Sequence, residues 1–203
     1  MSEAIKAEEE YEFTQDWFTW NIPVWRQVYA QLPDGARVLE IGSFEGRSTI
    51  WAMEHLTEGS QITCIDTWEG GEDHKNNELD GAEGRFVRNI QKAIQKYPGV
   101  EVLAYKGLSI SGLSKLILEE AKGFDIIYVD GSHTAWDTLT DGCMSFHLLK
   151  VGGMLVFDDY LWGDPGNPLH RPKIAIDAFS TVFGEKFQTI HNGYQVILQK
   201  VRE

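Results

Sequence analysis

From Ala36 onward, short apolar runs of strand length alternate with longer stretches of helical periodicity, and this alternation restricts the fold more than any other feature. Strands separated by helices pair in parallel, because a parallel neighbour needs a crossover long enough to hold a helix. The runs are Ala36 to Ile41, Gln61 to Asp66, Val100 to Tyr105, Phe124 to Asp130 and Gly153 to Asp158. Each is mostly apolar, as strands covered on both faces are. Helices are expected over 46–57, 82–97, 110–121, 134–149 and 172–183. Phe187 to His191 and Tyr194 to Val201 then flank Asn192-Gly193, a dipeptide that favours a tight hairpin. The expected fold is α/β: a doubly wound, mostly parallel sheet of seven strands with an antiparallel C-terminal hairpin.

At 203 residues the chain suits a single structural domain, with residues 1–35 read as an acidic tail and helical cap and 36–203 as the α/β domain. Trp17, Phe18, Trp20, Ile22, Val24, Trp25 and Val28 make the cap aromatic-rich, with Pro23 at a helix start. Such a segment packs as a cover and offers a homodimer interface as well. Net charge is -13, and residues 1–12 and 66–85 carry most of the deficit. Phosphate-neutralising surface is therefore scarce, and nucleic acid is not an expected partner. Cys64 and Cys143 are too few for a disulfide framework, which suggests a reduced, cytoplasmic protein. No run approaches the roughly 18 apolar residues of a membrane span, and no membrane association is expected.

The first strand ends in Glu40-Ile41-Gly42-Ser43-Phe44-Glu45-Gly46-Arg47-Ser48, a glycine-containing turn into an amphipathic helix. A dinucleotide fingerprint wants G-x-G-x-x-G, and Phe44 stands where its middle glycine would be, which weakens a nicotinamide cofactor. The next strand closes on Asp66, a carboxylate placed where a ribose diol could be gripped. The pattern E-x-G-x-x-x-G resembles motif I of the class I S-adenosylmethionine-dependent methyltransferases, whose fold is Rossmann-like. That resemblance implies a cofactor site at Glu40, Gly42, Ser43, Gly46 and Ser48, with Asp66 on the ribose hydroxyls, Gly107 and Ser109 beside the adenine, and Asp130 completing the set.

The fourth strand runs through Asp130 into Gly131-Ser132-His133, and the fifth into Asp158-Asp159-Tyr160. Neighbouring strands lie about 4.8 Å apart, so carboxylates at their tips can share one hard cation. Three like charges so crowded repel unless a cation neutralises them or one holds a proton. Oxygen ligands without cysteine suggest Mg²⁺ first, with Mn²⁺ or Ca²⁺ as alternatives. VDGSH followed by FDDYLWG resembles the metal-dependent O-methyltransferases, including the catechol, caffeoyl-CoA and macrocin types, over roughly residues 36–163. The resemblance implies Asp130, Asp158 and Asp159 as metal ligands and His133 as the base. The catechol and caffeoyl-CoA types carry Asn in place of Asp159 and Lys in place of His133, which points away from a catechol substrate and towards the sugar-directed branch.

The expected activity is S-adenosylmethionine-dependent O-methylation of a small hydroxylated molecule, a sugar or natural-product intermediate. A metal-independent small-molecule methyltransferase and a non-catalytic S-adenosylmethionine-binding module are the alternatives. Trp68 to Arg85, with Gly70-Gly71 at its base and His74 and Asp80 along it, reads either as a substrate lid or as a solvated loop. The 160–172 loop, with Trp162, Asp164, His170 and Arg171, is the better candidate for substrate selection.

Overall fold

The computed structural model describes residues 11–70 and 79–203. Seven strands form one sheet: β1 (Arg37–Ile41), β2 (Ser60–Asp66), β3 (Val100–Lys106), β4 (Phe124–Val129), β5 (Leu149–Phe157), β6 (Phe187–Asn192) and β7 (Val196–Lys200). Their order is β3-β2-β1-β4-β5-β7-β6. The first five are parallel, and β7 runs antiparallel to both β5 and β6. Six helices accompany them among the described residues: α1 (Ile22–Tyr29), α2 (Arg47–His55), α3 (Ala82–Lys96), α4 (Ser109–Leu118), α5 (Ala135–Leu148) and α6 (Lys173–Val182). The expected mostly parallel, doubly wound sheet with its C-terminal hairpin is the fold observed.

Strand pleating divides the apolar runs between two cores. Val38, Ile62, Ile126, Tyr128, Met154 and Val156 face one side, where α1, α2 and α3 supply Trp25, Trp51 and Phe86. Leu39, Ile65, Ile127, Val129, Leu155 and Phe157 face the other, closed by Leu113, Leu148 and Phe179 of α4, α5 and α6. Both faces being covered is why the strands read as continuous apolar runs instead of alternating ones.

From β1 the sheet grows in one direction through β2 and β3 and in the other through β4 and β5, so a crevice opens where the loops diverge at the β1 and β4 tips. Gly42 (φ 86°) sits at that junction, and a Cβ there would lie 1.9 Å from the Asp130 carbonyl oxygen. Only glycine lets the two strand tips approach so closely.

Two details differ from the sequence expectation. α5 passes into β5 without a loop, because Leu149 already pairs with Phe124 before a register shift, so β5 begins four residues before Gly153. The hairpin is wider than Asn192-Gly193 alone: Asn192 pairs with Val196, which leaves Tyr194 and Gln195 in the turn. Tyr194 is drawn away from the ladder because its carbonyl accepts the Tyr160 amide at 2.9 Å and its hydroxyl donates to Asp159 Oδ1, also at 2.9 Å.

The aromatic cap is mostly core. Trp25 stacks on Tyr29 at 5.4 Å and meets Tyr128 edge-on at 4.8 Å, and both Phe18 and Trp25 are buried. Trp17 and Trp20 are exposed and line the crevice. No helix among the described residues is long and apolar enough to cross a membrane. Residues 1–10 of the acidic tail and 71–78 of the acidic insertion, His74 included, lie outside the described residues.

Candidate active site

The crevice is a cleft of about 750 Å³ at the C-terminal tips of the parallel strands, a size suited to a nucleoside cofactor and a small acceptor together. Of the residues expected to hold a cofactor, Gly42, Asp66, Gly107, Ser109 and Asp130 line it. Glu40, Ser43, Gly46 and Ser48 are not among the described lining residues.

Glu40 points beneath the loop instead. Its carboxyl group accepts the hydroxyls of Ser48 and Thr49 on the first turn of α2, and burial pushes its pKa up. It therefore pins the start of α2 to the end of β1. Gly46, at φ 82°, takes the left-handed conformation that turns the chain into that helix.

Asp66 closes the loop from the other side. Its Oδ2 accepts the amides of Ser43 at 2.7 Å and Phe44 at 2.8 Å, and its Oδ1 accepts that of Trp68 at 2.6 Å. A carboxylate offers about four acceptor sites. Three are taken by backbone, which leaves Asp66 room for one further donor from the cleft. Trp68, buried, donates from Nε1 to the Phe44 carbonyl at 2.7 Å and so braces the same loop.

At the other end of the cleft, Asp130 leaves β4 and the Asp158-Asp159 pair leaves β5. Asp158 faces inward and is 6% exposed. Its Oδ1 accepts the Asp159 amide at 2.7 Å, and its Oδ2 accepts Gln195 Nε2 at 2.8 Å and Asn21 Nδ2 at 3.3 Å. Asp159 (φ 57°) turns the opposite way. Its Oδ2 stands 2.8 Å from His133 Nε2, and Trp162 packs over the imidazole at 4.3 Å. Asp130, His133 and Asp159 each bring one ligand atom into a group within which all lie 4.8 Å or less apart. The structure thus gathers Asp130, Asp159 and His133, with Asp158, which also lines the cleft, accepting the Asp159 amide beside them.

Tyr128 Oη lies 2.7 Å from Asp130 Oδ2 and also contacts Asp158 Oδ2. A phenol has one hydrogen to donate, so both contacts can be hydrogen bonds only if one of the carboxyl groups carries a proton. Burial, and then the charges of Asp158 and Asp159, push the Asp130 pKa well up. Burial first, and Asp159 second, raise that of Asp158 to about 6. Protons here do what a cation would do. Two carboxylates converging on one point offer the hard oxygen donors that fit Mg²⁺ or Mn²⁺, with the imidazole beside them.

Sequence reasoning did not find Tyr128, Tyr194, Gln195 or Asn21. Tyr128 reads as an apolar strand residue, and Asn21 and Gln195 reach Asp158 across separations of 137 and 37 residues. Of the 160–172 loop, Trp162 enters the cleft, whereas His170 packs edge-on to Trp136 at 5.4 Å and Arg171 is buried.

The strand order, the glycine turn after β1 and the carboxylate at the β2 tip define a class I methyltransferase fold. The family profile described as "Methyltransferase domain" matches residues 39–160, and the chain belongs to that family. It is 27% identical over 137 residues to tapetum-specific methyltransferase 1 of Arabidopsis thaliana, an alignment covering 66% of this chain and 51% of that protein. The chain thus spans about half the length of that curated relative.

Among solved structures, an O-methyltransferase from Bacillus cereus in complex with S-adenosylhomocysteine superposes with a TM-score of 0.65 at 20% identity, over 97% of this chain and 88% of that one. TomG of Streptomyces achromogenes, an O-methyltransferase of tomaymycin synthesis bound to S-adenosylmethionine, gives 0.65 at 20%, over 89% and 80%. MycE from the mycinamycin pathway, in complex with Mg, S-adenosylhomocysteine and mycinamycin VI, gives 0.60 at 17%, over 93% of this chain and 51% of that one. At these identities the likeness is one of fold.

Proposed function

We propose that the protein transfers a methyl group from S-adenosylmethionine to a hydroxyl of a small, non-anionic acceptor, with a divalent cation held at Asp130 and Asp159. The observation that carries this reading is the convergence of Asp130, His133 and Asp159 within 4.8 Å at one end of the cleft. When bound, a hard cation such as Mg²⁺ lowers the pKa of an acceptor hydroxyl and balances its negative charge.

The remaining work belongs to the chain. Asp66 takes one ribose hydroxyl on its remaining acceptor site, and the Gly42 turn allows the cofactor to lie against backbone. His133 removes the acceptor proton, the imidazole being the side chain best suited to general-base work near neutral pH. Trp162 covers the imidazole and shields it from water. The acceptor oxygen then bonds to the methyl carbon as the carbon–sulfur bond breaks, and S-adenosylhomocysteine leaves with the bonding pair. Tyr194 and the Asp158 carboxyl group hold Asp159 in place throughout.

The cleft wall also bears on the acceptor. Asp66, Asp130, Asp137, Asp141, Asp158 and Asp159 line it, and no Lys or Arg does so among the described residues. Such a wall repels phosphates and carboxylates and suits a neutral or cationic polyol. Trp17 and Trp20, exposed at the rim, offer flat apolar faces to a sugar or ring.

The test is a methyl-acceptor screen of hydroxylated metabolites with labelled S-adenosylmethionine, run with Mg²⁺, with Mn²⁺ and after exhaustive chelation. Turnover that needs the cation supports the reading. Undiminished turnover after chelation makes this a metal-independent methyltransferase, and tight cofactor binding with no turnover of any acceptor favours a non-catalytic binding module.

A further inference from the structure

Asp158 is held by residues from the two ends of the chain. Asn21 ends the short turn before α1, Trp25 stands on α1, and Gln195 lies just ahead of β7. All three fall outside residues 39–160, the part of the chain that the family profile matches. All three are buried, as is Asp158 itself. Trp25 Nε1 donates to Gln195 Oε1 at 2.9 Å across 170 residues of sequence, and Gln195 Nε2 donates to Asp158 Oδ2 at 2.8 Å. Asn21 Nδ2 makes a longer contact with the same oxygen, at 3.3 Å.

The donor chemistry gives this chain of contacts a direction. An indole nitrogen only donates, whereas a glutamine amide carries an acceptor on one side and donors on the other. The indole therefore fixes which way the Gln195 amide faces, with its oxygen towards Trp25 and its NH₂ towards Asp158. Without the indole N–H, the amide can turn over and set its oxygen against a carboxylate oxygen. Asp158 is engaged on its other side as well, because Oδ1 accepts the Asp159 amide at 2.7 Å. Asp159 has a left-handed backbone (φ 57°), and its carboxylate joins Asp130 and His133. A residue with a side chain persists in that conformation only where its surroundings fix it.

We propose that Trp25 and Gln195 are positioning residues for the metal site. They form a relay in which the indole orients the amide, the amide holds the Asp158 carboxyl group, and that group holds the turn that presents Asp159. The relay rests on the divalent-cation reading above and extends it to residues that touch neither cation nor acceptor. The N-terminal cap and the C-terminal hairpin thereby become parts of the site.

Calorimetric titration of the full chain with Mg²⁺, in the presence of S-adenosylhomocysteine, tests this in the native protein, in Trp25→Phe, in the near-isosteric Gln195→Met and in the double variant. The melting temperature of each metal-free protein is measured alongside. Each single variant is expected to weaken Mg²⁺ binding by about tenfold, the lower end of what outer partners of a metal site contribute. The double variant is expected to lie within about twofold of Gln195→Met, because the indole acts only through the amide. A merely structural Trp25 would lower the melting temperature and leave the Mg²⁺ affinity of the folded protein unchanged. Native-like Mg²⁺ affinity in either folded single variant, or losses that multiply in the double variant, overturns the relay, and Gln195→Met decides it even where Trp25→Phe does not fold. If the native protein itself takes up no Mg²⁺, the metal reading falls and takes the relay with it.

Discussion

His133 Nε2 faces Asp159 Oδ2 at 2.8 Å, so the atom assigned to take the acceptor's proton already has a carboxylate partner. Asp130 and Asp159 would hold a divalent cation between them, and Asp159 so engaged would leave that nitrogen available to the acceptor. His133→Ala is therefore expected to lower kcat by about 10²–10⁴-fold, to flatten the acidic limb of the pH–rate profile, and to leave Mg²⁺ affinity within about threefold. Asp159→Asn is expected to weaken Mg²⁺ binding by tenfold or more. Metal titration of both variants checks the division of labour. If His133→Ala loses the metal instead, the imidazole is a ligand and the base lies elsewhere.

Tyr194 is a positioning residue whose hydroxyl reaches Asp159 Oδ1 at 2.9 Å. Partners of a metal-binding carboxylate typically contribute about 10–100-fold to metal affinity. Tyr194→Phe is expected to raise the Mg²⁺ requirement by about tenfold while kcat at saturating metal stays within about threefold. A fall in kcat that saturating Mg²⁺ does not restore would place the hydroxyl on the acceptor.

The Asp158 carboxyl group, raised by burial to about 6, makes stability depend on pH in a defined direction. In the unfolded chain it ionises at about 3.9, so the folded state binds the proton more tightly. Its contribution is fully present below about pH 4 and is lost as pH rises through about 6. Asp158→Asn should remove that part of the decline between pH 4 and 7. Melting curves against pH, for both proteins and with and without Mg²⁺, provide the measurement. A decline of the same size in the variant would assign it to another group.

Glu40 separates an anchor from a ligand. Because its carboxyl group pins Ser48 and Thr49, Glu40→Ala leaves two hydroxyls unpaired beside a cavity and is expected to destabilise the fold by about 3 kcal/mol. S-adenosylhomocysteine affinity at a temperature where the variant remains folded should change by less than about fivefold. A loss of affinity without a loss of stability would return Glu40 to the cofactor.

The motif E-x-G-x-x-x-G places Glu40 at a strand end but is the same whether the side chain faces the ligand or the helix behind it, and packing alone decides. Gly42, Asp66, Asp130 and the Asp158-Asp159 pair were legible because an apolar run stops at each, and parallel strands bring such ends to one edge of the sheet. Asp158 and Asp159 are adjacent and chemically identical, and only the left-handed turn at Asp159 sends one inward and the other out. The supporting Asn21, Tyr194 and Gln195 had no such marker. They are ordinary polar residues in a cap and a turn, joined to the site by tertiary contacts that no local pattern encodes.

The acidic wall of the cleft makes the last prediction one about charge. Six aspartates line the cleft without a Lys or Arg among the described residues, and the wall stays acidic even with a divalent cation held at Asp130 and Asp159 and with Asp141 raised by burial to about 7. An acceptor bearing a phosphate or carboxylate must enter against it, whereas an amine gains from it and from the tryptophan faces at the rim. Among acceptors alike in their hydroxyl pattern, kcat/KM is expected to rise from anionic through neutral to cationic, by about tenfold or more across the series. Salt should narrow that spread by screening, acting mainly through KM. A series of matched acceptors assayed at low and high ionic strength measures it, and preferred turnover of the anionic member would mean that a basic group outside the described residues reaches the cleft.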